Sequence, residues 1–237
     1  MDRASAIAIR LNPAAQVRLR RVGREAWPLL VIDDVLLDPE VLVELAAATP
    51  FGAPHAAYYP GLNAPMPRPY LEALMPVLRP SFARAYAIAA EAPMVASGFF
   101  ALATEPVERL STLQKIPHYD QVEPDALAMI HYLAHDQGGG TGFFSHRATG
   151  YEMVTPARRE TYLNTLAAEL ETVGELTRFT GPETPNYAML DAAEWRFNRL
   201  IIYPSNVLHC ALFEGARLND DPRTGRLTAN SFFKPGV

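Results

Sequence analysis

The feature that most limits the possible folds of this chain is a change in sequence texture near residue 94. From there onward, short apolar segments alternate with turn residues, a spacing typical of antiparallel strands. These segments predict strands at residues 95–103, 111–116, 126–134, 142–145, 195–203, 207–213 and 227–233. Many short strands without an internal repeat favour a barrel or sandwich core with helices packed outside it.

The first part of the chain is predicted to supply a strand, a helix and a long loop. The apolar run 29–32 predicts a buried strand that ends in a polar turn. A helix should follow, with Asp38 as its N-cap and Pro39 in its first turn. Residues 50–69 are rich in proline and aromatic residues and predict a long ordered loop, a type of segment that often acts as a lid. Its candidate lid contacts are His55, Tyr58 and Tyr59.

Two further helices are predicted from apolar residues at helical spacing. The first covers residues 70–91, and Pro76 and Pro80 should kink or divide it. The second covers about 155–174 and belongs to an inserted helical region at about 150–194.

Composition excludes several classes of protein. The chain has 237 residues, of which 49% are hydrophobic, so it can bury a large core. A net charge of -5 argues against binding to a nucleic-acid backbone. One cluster of arginines is interpreted as the solvated face of a strand or turn: Arg18, Arg20, Arg21 and Arg24. The sequence shows neither a membrane-length apolar run nor a secretory signal. Because Cys210 is the single cysteine, we expect a reducing, cytoplasmic location.

The strongest chemical signal is a His-x-Asp pair formed by His118 and Asp120. Residues two apart at the end of a strand project to the same side, so both can bind one metal ion. His209 follows a buried strand and a turn, and is the candidate third ligand. Two histidines and one carboxylate on one side of an octahedral ion leave three positions open. That arrangement suits a non-haem Fe(II) centre that binds a chelating co-substrate together with O2.

A co-substrate with a free carboxylate also needs a fixed cation, and Arg226 is the candidate at the start of the last strand. The planar guanidinium group of arginine can hold a carboxylate through two charge-assisted hydrogen bonds. Thr228 points to the same face of that strand and can add a hydroxyl contact, while Tyr132 can add a phenol from a facing strand. Arg217 and Arg223 remain rivals of Arg226, although both flank polar turn residues.

These segments, taken in order, resemble the prolyl-4-hydroxylase-like branch of the Fe(II)/2-oxoglutarate-dependent dioxygenases. His118 and Asp120 match the His-x-Asp pair of that family, and His209 matches its second histidine. Arg226 and Thr228 match its oxoglutarate-anchoring strand. The Pro-His-x-Asp and Gly-rich pattern is also similar to an uncharacterised bacterial subgroup of the superfamily.

The resemblance implies an α+β fold with a mainly β core, namely a double-stranded β-helix of the jelly-roll or cupin-like type with flanking helices. It implies one domain over 1–237, in which 1–93 holds the N-terminal strand, helices and loop, and 94–237 the core with its helical insert. It further implies Fe(II) as metal, 2-oxoglutarate as co-substrate, O2 as oxidant, and hydroxylation of an unactivated C–H bond. The substrate class stays open between a small metabolite and a peptide side chain, and the oligomeric state is unknown.

Two other functions remain open at this point. A cupin-like metal enzyme would use the same histidines without 2-oxoglutarate, and a non-catalytic descendant of the fold would serve as a binding or scaffold module.

Other polar residues have simpler interpretations. His131 and His135 are interpreted as strand residues rather than as a helical metal pair. His146 is expected in a surface or turn role, with substrate contact as the alternative. Cys210 should be a small buried residue, because adjacent strand residues point to opposite faces and His209 therefore lies on the other side.

Overall fold

The computed structural model describes residues 9–54, 59–135 and 138–236. In this part the chain forms ten strands, which are β1 (Gln16–Val22), β2 (Trp27–Asp33), β3 (Gly61–Pro65), β4 (Met94–Ala103), β5 (Leu127–Tyr132), β6 (Gly140–His146), β7 (Tyr187–Glu194), β8 (Leu200–Pro204), β9 (His209–Leu212) and β10 (Arg226–Pro235). The α-helices described are α1 (Glu40–Ala47), α2 (Arg68–Tyr86) and α3 (Pro156–Leu170).

The strands form two antiparallel sheets, as expected for a mainly β core. The large sheet has seven strands in the order β1-β2-β8-β5-β10-β4-β3, and the small sheet has three in the order β7-β6-β9. An isolated bridge between His118 and His209 adds residue 118 beside β9, at the edge of the small sheet. A short segment around residue 118 therefore extends the small sheet without forming a regular strand.

The central strands of the large sheet are buried on both faces. Along β10, Leu227, Ala229 and Phe233 pack with the helices, and Phe82 of α2 meets Phe233 at a ring distance of 5.3 Å. On the other face, Phe232 packs toward the core cluster that contains Tyr132. Side chains alternate between the faces of a strand, so Arg226, Thr228 and Asn230 share the inner face with Phe232.

The second helix is not divided at its prolines, because α2 continues through Pro76 and Pro80. Both prolines lie on the outer side of the helix, where water can hydrate the carbonyl groups that they leave without a donor. The opposite side is buried against the sheet through Leu74, Leu78 and Phe82. This burial outweighs the local cost of the prolines, and the helix ends at Tyr86, before Ala87 takes up a left-handed conformation.

The predicted strand at 111–116 is also wrong. Residues Thr112–Lys115 form a 3-10 helix. The Gln114 side chain accepts hydrogen bonds from the backbone N–H and the hydroxyl group of Ser111, both at 2.9 Å. This local capping arrangement stabilises a helical turn, and apolar alternation alone does not reveal it.

Four other features differ from the predictions. Helix α1 has Pro39 rather than Asp38 as its N-cap and lacks a side-chain cap. The region assigned to the helical insert contains strand β7, and the strand predicted at 195–203 begins only at Leu200. Strand β3 lies within the predicted loop 50–69, because its backbone pairs with β4. His55 and Tyr58 fall outside the described residues.

The arginine cluster lies on β1 and in the turn after it, as the strand-or-turn prediction stated. Arg18 forms an ion pair with the buried Asp33, and Arg20 pairs with Asp191 of β7. None of the helices in the described part combines the length and the apolar run that a bilayer crossing needs.

Candidate metal centre

His118, Asp120 and His209 meet at one end of the small sheet. The backbone N–H of His118 donates to the carbonyl of His209 at 2.9 Å, and the N–H of His209 donates back at 2.8 Å. Two residues later, the N–H of Asp120 donates to the carbonyl of Ser205 at 2.8 Å. These three bonds fix the His-x-Asp segment against the turn that precedes β9. As a result, one ligand atom from each of the three side chains lies within 4.8 Å of the others.

The distances leave room for an ion between the three groups. Asp120 Oδ1 lies 3.8 Å from His118 Nε2, and Asp120 Oδ2 lies 3.6 Å from His209 Nε2. The Nδ1 atom of His209 lies 3.0 Å from the carbonyl of Val207, which assigns its proton to Nδ1 and leaves the Nε2 lone pair directed at the site. The carbonyl group of Val207 thus fixes the orientation of the His209 ring, as hydrogen-bond acceptors commonly do for metal-binding histidines.

The protonation states suit metal binding. Burial lowers the pKa of His209 to about 4. Although the His118 side chain is about half exposed, the protein atoms around its ring and the neighbouring His209 lower the pKa of His118 as well. Burial raises the pKa of Asp120 to about 6, an effect that His118 opposes. At neutral pH the site therefore offers two neutral imidazoles and a carboxylate, the forms that bind a divalent ion.

The donor set fits a divalent transition metal. Within the described parts of the chain, this is the one convergence of three or more histidine, cysteine or acidic side chains that could hold an ion. The side chain of His118 is 53% exposed whereas that of His209 is 6% exposed, so the site is open on one side. Three ligands with an open side leave positions for exogenous ligands.

Arg226 is a buried cation in the same interior. The residue is 3% exposed, and its guanidinium group lies over the ring of Trp195 at 4.6 Å and that of Phe213 at 4.8 Å. Its Nη2 donates to the carbonyl of Gly140 at 2.9 Å, whereas its buried Nε has no hydrogen-bond partner. No carboxylate among the described residues forms an ion pair with it. Burial lowers the pKa of Arg226, but a guanidinium stays charged at neutral pH. A buried, unpaired cation is costly unless an anion binds to it.

The rival arginines lie elsewhere. Arg223 is on the surface, where its Nη2 pairs with Glu44 at 2.6 Å and both side chains are more than half exposed. Arg217 is exposed as well. Of these three arginines, Arg226 alone is buried.

Thr228 and Tyr132 lie near Arg226 on the inner face. The two residues are direct neighbours in the register of β10 and β5. The Tyr132 hydroxyl donates to Thr141 Oγ1 at 2.8 Å, and the Tyr132 ring stacks on Trp195 at 4.5 Å. Tyr132 therefore stabilises the position of the Trp195 ring, which lies against the Arg226 guanidinium group.

Tyr59 is a neighbour of Arg226 that sequence reasoning assigned only to a lid. Its hydroxyl group is buried close to the Thr228 hydroxyl group and to Arg226. Burial raises the pKa of Tyr59 to about 12, so the phenol keeps its proton and can donate a hydrogen bond. Its position in the proline- and tyrosine-rich loop was the available signal, but the pairing of β3 with β4 is what brings that loop inward.

The predicted burial of Cys210 is confirmed, whereas the surface or turn position predicted for His146 is wrong. Cys210 is buried in a cluster with Phe144 and Tyr162, and its Sγ lies 3.2 Å from Thr180 Oγ1. His146, expected at the surface or in a turn, is fully buried and its Nε2 lies 2.8 Å from the Glu169 carboxylate. The packing of α3 against the small sheet covers this histidine, an effect that local sequence does not show.

His131 is a structural core residue. Its Nδ1 lies 2.9 Å from the Tyr70 hydroxyl, and its Nε2 lies 3.2 Å from Asn198 Oδ1. The Asn198 amide nitrogen donates to the Leu36 carbonyl, so Oδ1 is an acceptor and the imidazole is neutral with its proton on Nε2.

We expect His131 to make stability depend on pH. Burial lowers its pKa from 6.5 to about 4. The unfolded chain therefore binds the proton first, and the free energy of unfolding should fall by up to about 3 kcal/mol as pH drops from 6.5 toward 4. Urea unfolding at several pH values would measure this, and His131→Gln should show a shallower fall. An identical slope in His131→Gln and in the exposed control His135→Gln would contradict the expectation.

A comparison with solved structures finds proteins of low sequence identity to this chain. HygX from Streptomyces hygroscopicus, crystallised with nickel, 2-oxoglutarate and hygromycin B, is 14% identical over 88% of this chain and 82% of its own, with a TM-score of 0.47. An N-substituted L-amino acid dioxygenase from Burkholderia ambifaria AMMD is 11% identical over 97% of both chains, with a TM-score of 0.42. No curated protein sequence matches significantly. Likeness at this level says nothing about a substrate.

The chain itself belongs to DUF6445, a family of unknown function, which it matches over residues 13–233.

Proposed function

We propose that this protein is an Fe(II)- and 2-oxoglutarate-dependent oxygenase that hydroxylates an unactivated C–H bond. The observation that carries the proposal is the presence of two complementary sites in one interior. One is the open cluster of His118, Asp120 and His209, and the other is the buried Arg226 with no acidic partner among the described residues. A dicarboxylate that chelates the metal with one end and pairs with Arg226 at the other would satisfy both.

The strand connectivity supports a double-stranded β-helix, which is the fold we propose. From β4 to β10 the chain passes repeatedly between the sheets, and only β6 and β7 follow each other in the same one. Strands β4, β5, β8 and β10 belong to the large sheet, and the segment at residue 118, β6, β7 and β9 belong to the small one. Two four-membered halves built in this way make a jelly-roll core. In this proposal β1, β2 and β3 extend the large sheet, and α3 is the insert of one domain.

The residues of the chain take distinct roles in the proposed reaction. His118, Asp120 and His209 hold Fe(II), which with 2-oxoglutarate and O2 supplies the oxidation of the substrate C–H bond. Arg226 pairs with the distal carboxylate of 2-oxoglutarate, and Thr228 and Tyr59 can donate hydroxyl hydrogen bonds to it. Tyr132 and Trp195 position the guanidinium by stacking.

We also propose a small metabolite or a peptide side chain as substrate, in the cytoplasm, and no role in nucleic-acid binding. The negative net charge of -5 and the single buried cysteine support these assignments.

An anaerobic titration tests the proposal. Metal-free protein is titrated with Fe(II) and then with 2-oxoglutarate, and we expect a weak visible charge-transfer band at roughly 500 nm from the chelate. Iron binding without the band would favour a cupin-like metal enzyme. If neither iron nor 2-oxoglutarate binds, the proposal is wrong and a scaffold role gains support.

A further inference from the structure

The interior of the large sheet becomes more exposed along β10. Arg226 and Thr228 are buried, whereas Asn230 and Phe232 on the same face are only partly buried. Strand β4 shows the same gradient, from buried Ala103 to exposed residues at its other end. The inner face of the large sheet is therefore enclosed near Arg226 and more open to solvent near Phe232. The exposed end is the side from which a second molecule can approach.

Two amide side chains lie on this path without partners. The Oδ1 atoms of Asn63 and Asn230 are buried and have no hydrogen-bond partner. Asn63 is opposite Ala101 of β4, and Ala101 is opposite Thr228, so Asn63 faces the same interior. A buried amide without a partner costs about 1–3 kcal/mol, a cost that a bound hydrogen-bonding group would remove.

Apolar rings lie beside these amides. Phe99 is opposite Asn230 in the register, and Phe99 and Phe232 approach to a ring distance of 6.0 Å. The inner-face neighbours nearest to Asn230 in the register, Phe99, Pro65, Ile130 and Ile201, carry no charge. Arg18 and Lys234, which lie farther along this face, are exposed to solvent. A charged group bound beside Asn230 would therefore have no buried counter-ion at this level of the sheet.

We propose that Asn63, Asn230, Phe99 and Phe232 form the binding site for the main substrate, which presents an uncharged hydrogen-bonding group next to an apolar or aromatic body. The two amides hydrogen-bond the polar group, and the two rings hold the body at the more exposed end of the inner face. A neutral amide or alcohol fits, whereas a carboxylate or an ammonium would be desolvated without compensation. This assignment deepens the proposed oxygenase function and rests on it.

The experiment measures binding of small probes rather than turnover. Equilibrium dialysis compares benzamide, benzoate and benzylammonium on the protein loaded with Zn(II) and 2-oxoglutarate. We expect benzamide to bind at least about tenfold more tightly than either charged probe. Asn63→Ala or Asn230→Ala should weaken benzamide binding about fivefold, the effect of one lost hydrogen bond. Asn164→Ala, on the exposed side of α3, should leave it unchanged.

A charge-introducing variant gives a second test that keeps the shape of the side chain. Asn230→Asp should shift the preference from benzamide to benzylammonium. The proposal is overturned if wild-type protein does not prefer benzamide, or if the variants at positions 63 and 230, with unchanged unfolding midpoints, bind it as wild type does. The binding measurement needs no turnover. If benzamide binds as expected but the wild-type protein forms no iron–oxoglutarate band, the oxygenase function is rejected and the proposed amide-binding site is retained.

Discussion

In the Asp120→Ala variant we expect Fe(II) affinity to fall by more than about 100-fold, and 2-oxoglutarate turnover to disappear with it. The carboxylate is the one anionic ligand of the three, and its oxygens lie between the two Nε2 atoms at 3.6 and 3.8 Å. Two neutral imidazoles alone lack both the charge and the third donor. Metal affinity measured by competition with a chromogenic chelator would show the loss, and His118→Ala should behave in the same way.

A matched control variant distinguishes the loss of a metal ligand from the loss of a nearby negative charge. Asp125 is an exposed aspartate in the same loop region, and Asp125→Ala should retain wild-type iron affinity. Full metal affinity in both Asp120→Ala and His118→Ala would reject the metal site. The metal-free Asp120→Ala protein should remain folded, since the variant removes a largely buried carboxylate that has no cationic partner at neutral pH.

The second large effect is expected at Arg226. Arg226→Met keeps much of the side-chain volume between Trp195 and Phe213 but removes the cation. The apparent affinity for 2-oxoglutarate should fall by at least about 30-fold, which corresponds to about 2 kcal/mol, while Fe(II) still binds. The measurement is the concentration of 2-oxoglutarate that gives half of the visible band under anaerobic conditions.

Arg223→Met is the control for this prediction. Its guanidinium pairs with Glu44 on the surface, so the affinity for 2-oxoglutarate should stay at the wild-type value. If Arg226→Met leaves the affinity unchanged, the anchor must be sought at Arg217 or Arg223.

Local sequence patterns predicted which residues form the candidate metal site, but they did not predict the backbone conformation of the segment before His118. His118 and Asp120 lie beside His209, although residues Thr112–Lys115 before them form a 3-10 helix instead of a strand. The side chains of residues 118 and 120 still project to the same side, because the bridge between His118 and His209 holds this segment in a strand-like conformation.

The residues around the site were harder to predict. Strand β3, with Asn63, lies in the segment whose proline and aromatic content predicts a loop, and it forms through pairing with the edge of β4. Strand β7 lies within the region predicted as the helical insert. Tyr59 was a candidate only as a lid contact, and Asn230 carries no local signal of a ligand, because the roles of these side chains depend on the residues around them.

The sequence by itself determined the mainly β architecture, the helices and the order of the ligand and anchor candidates. These follow from side-chain periodicity and from the coordination preferences of histidine, aspartate and arginine, which are local properties. Only the tertiary structure decided that Arg226 is the buried arginine, that His146 is enclosed beneath α3, and that Asn63 and Asn230 share the inner face of the large sheet. The burial of a side chain, and whether its polar atoms find hydrogen-bond partners, depend on contacts between segments that are distant in sequence. A local sequence pattern therefore does not reveal them.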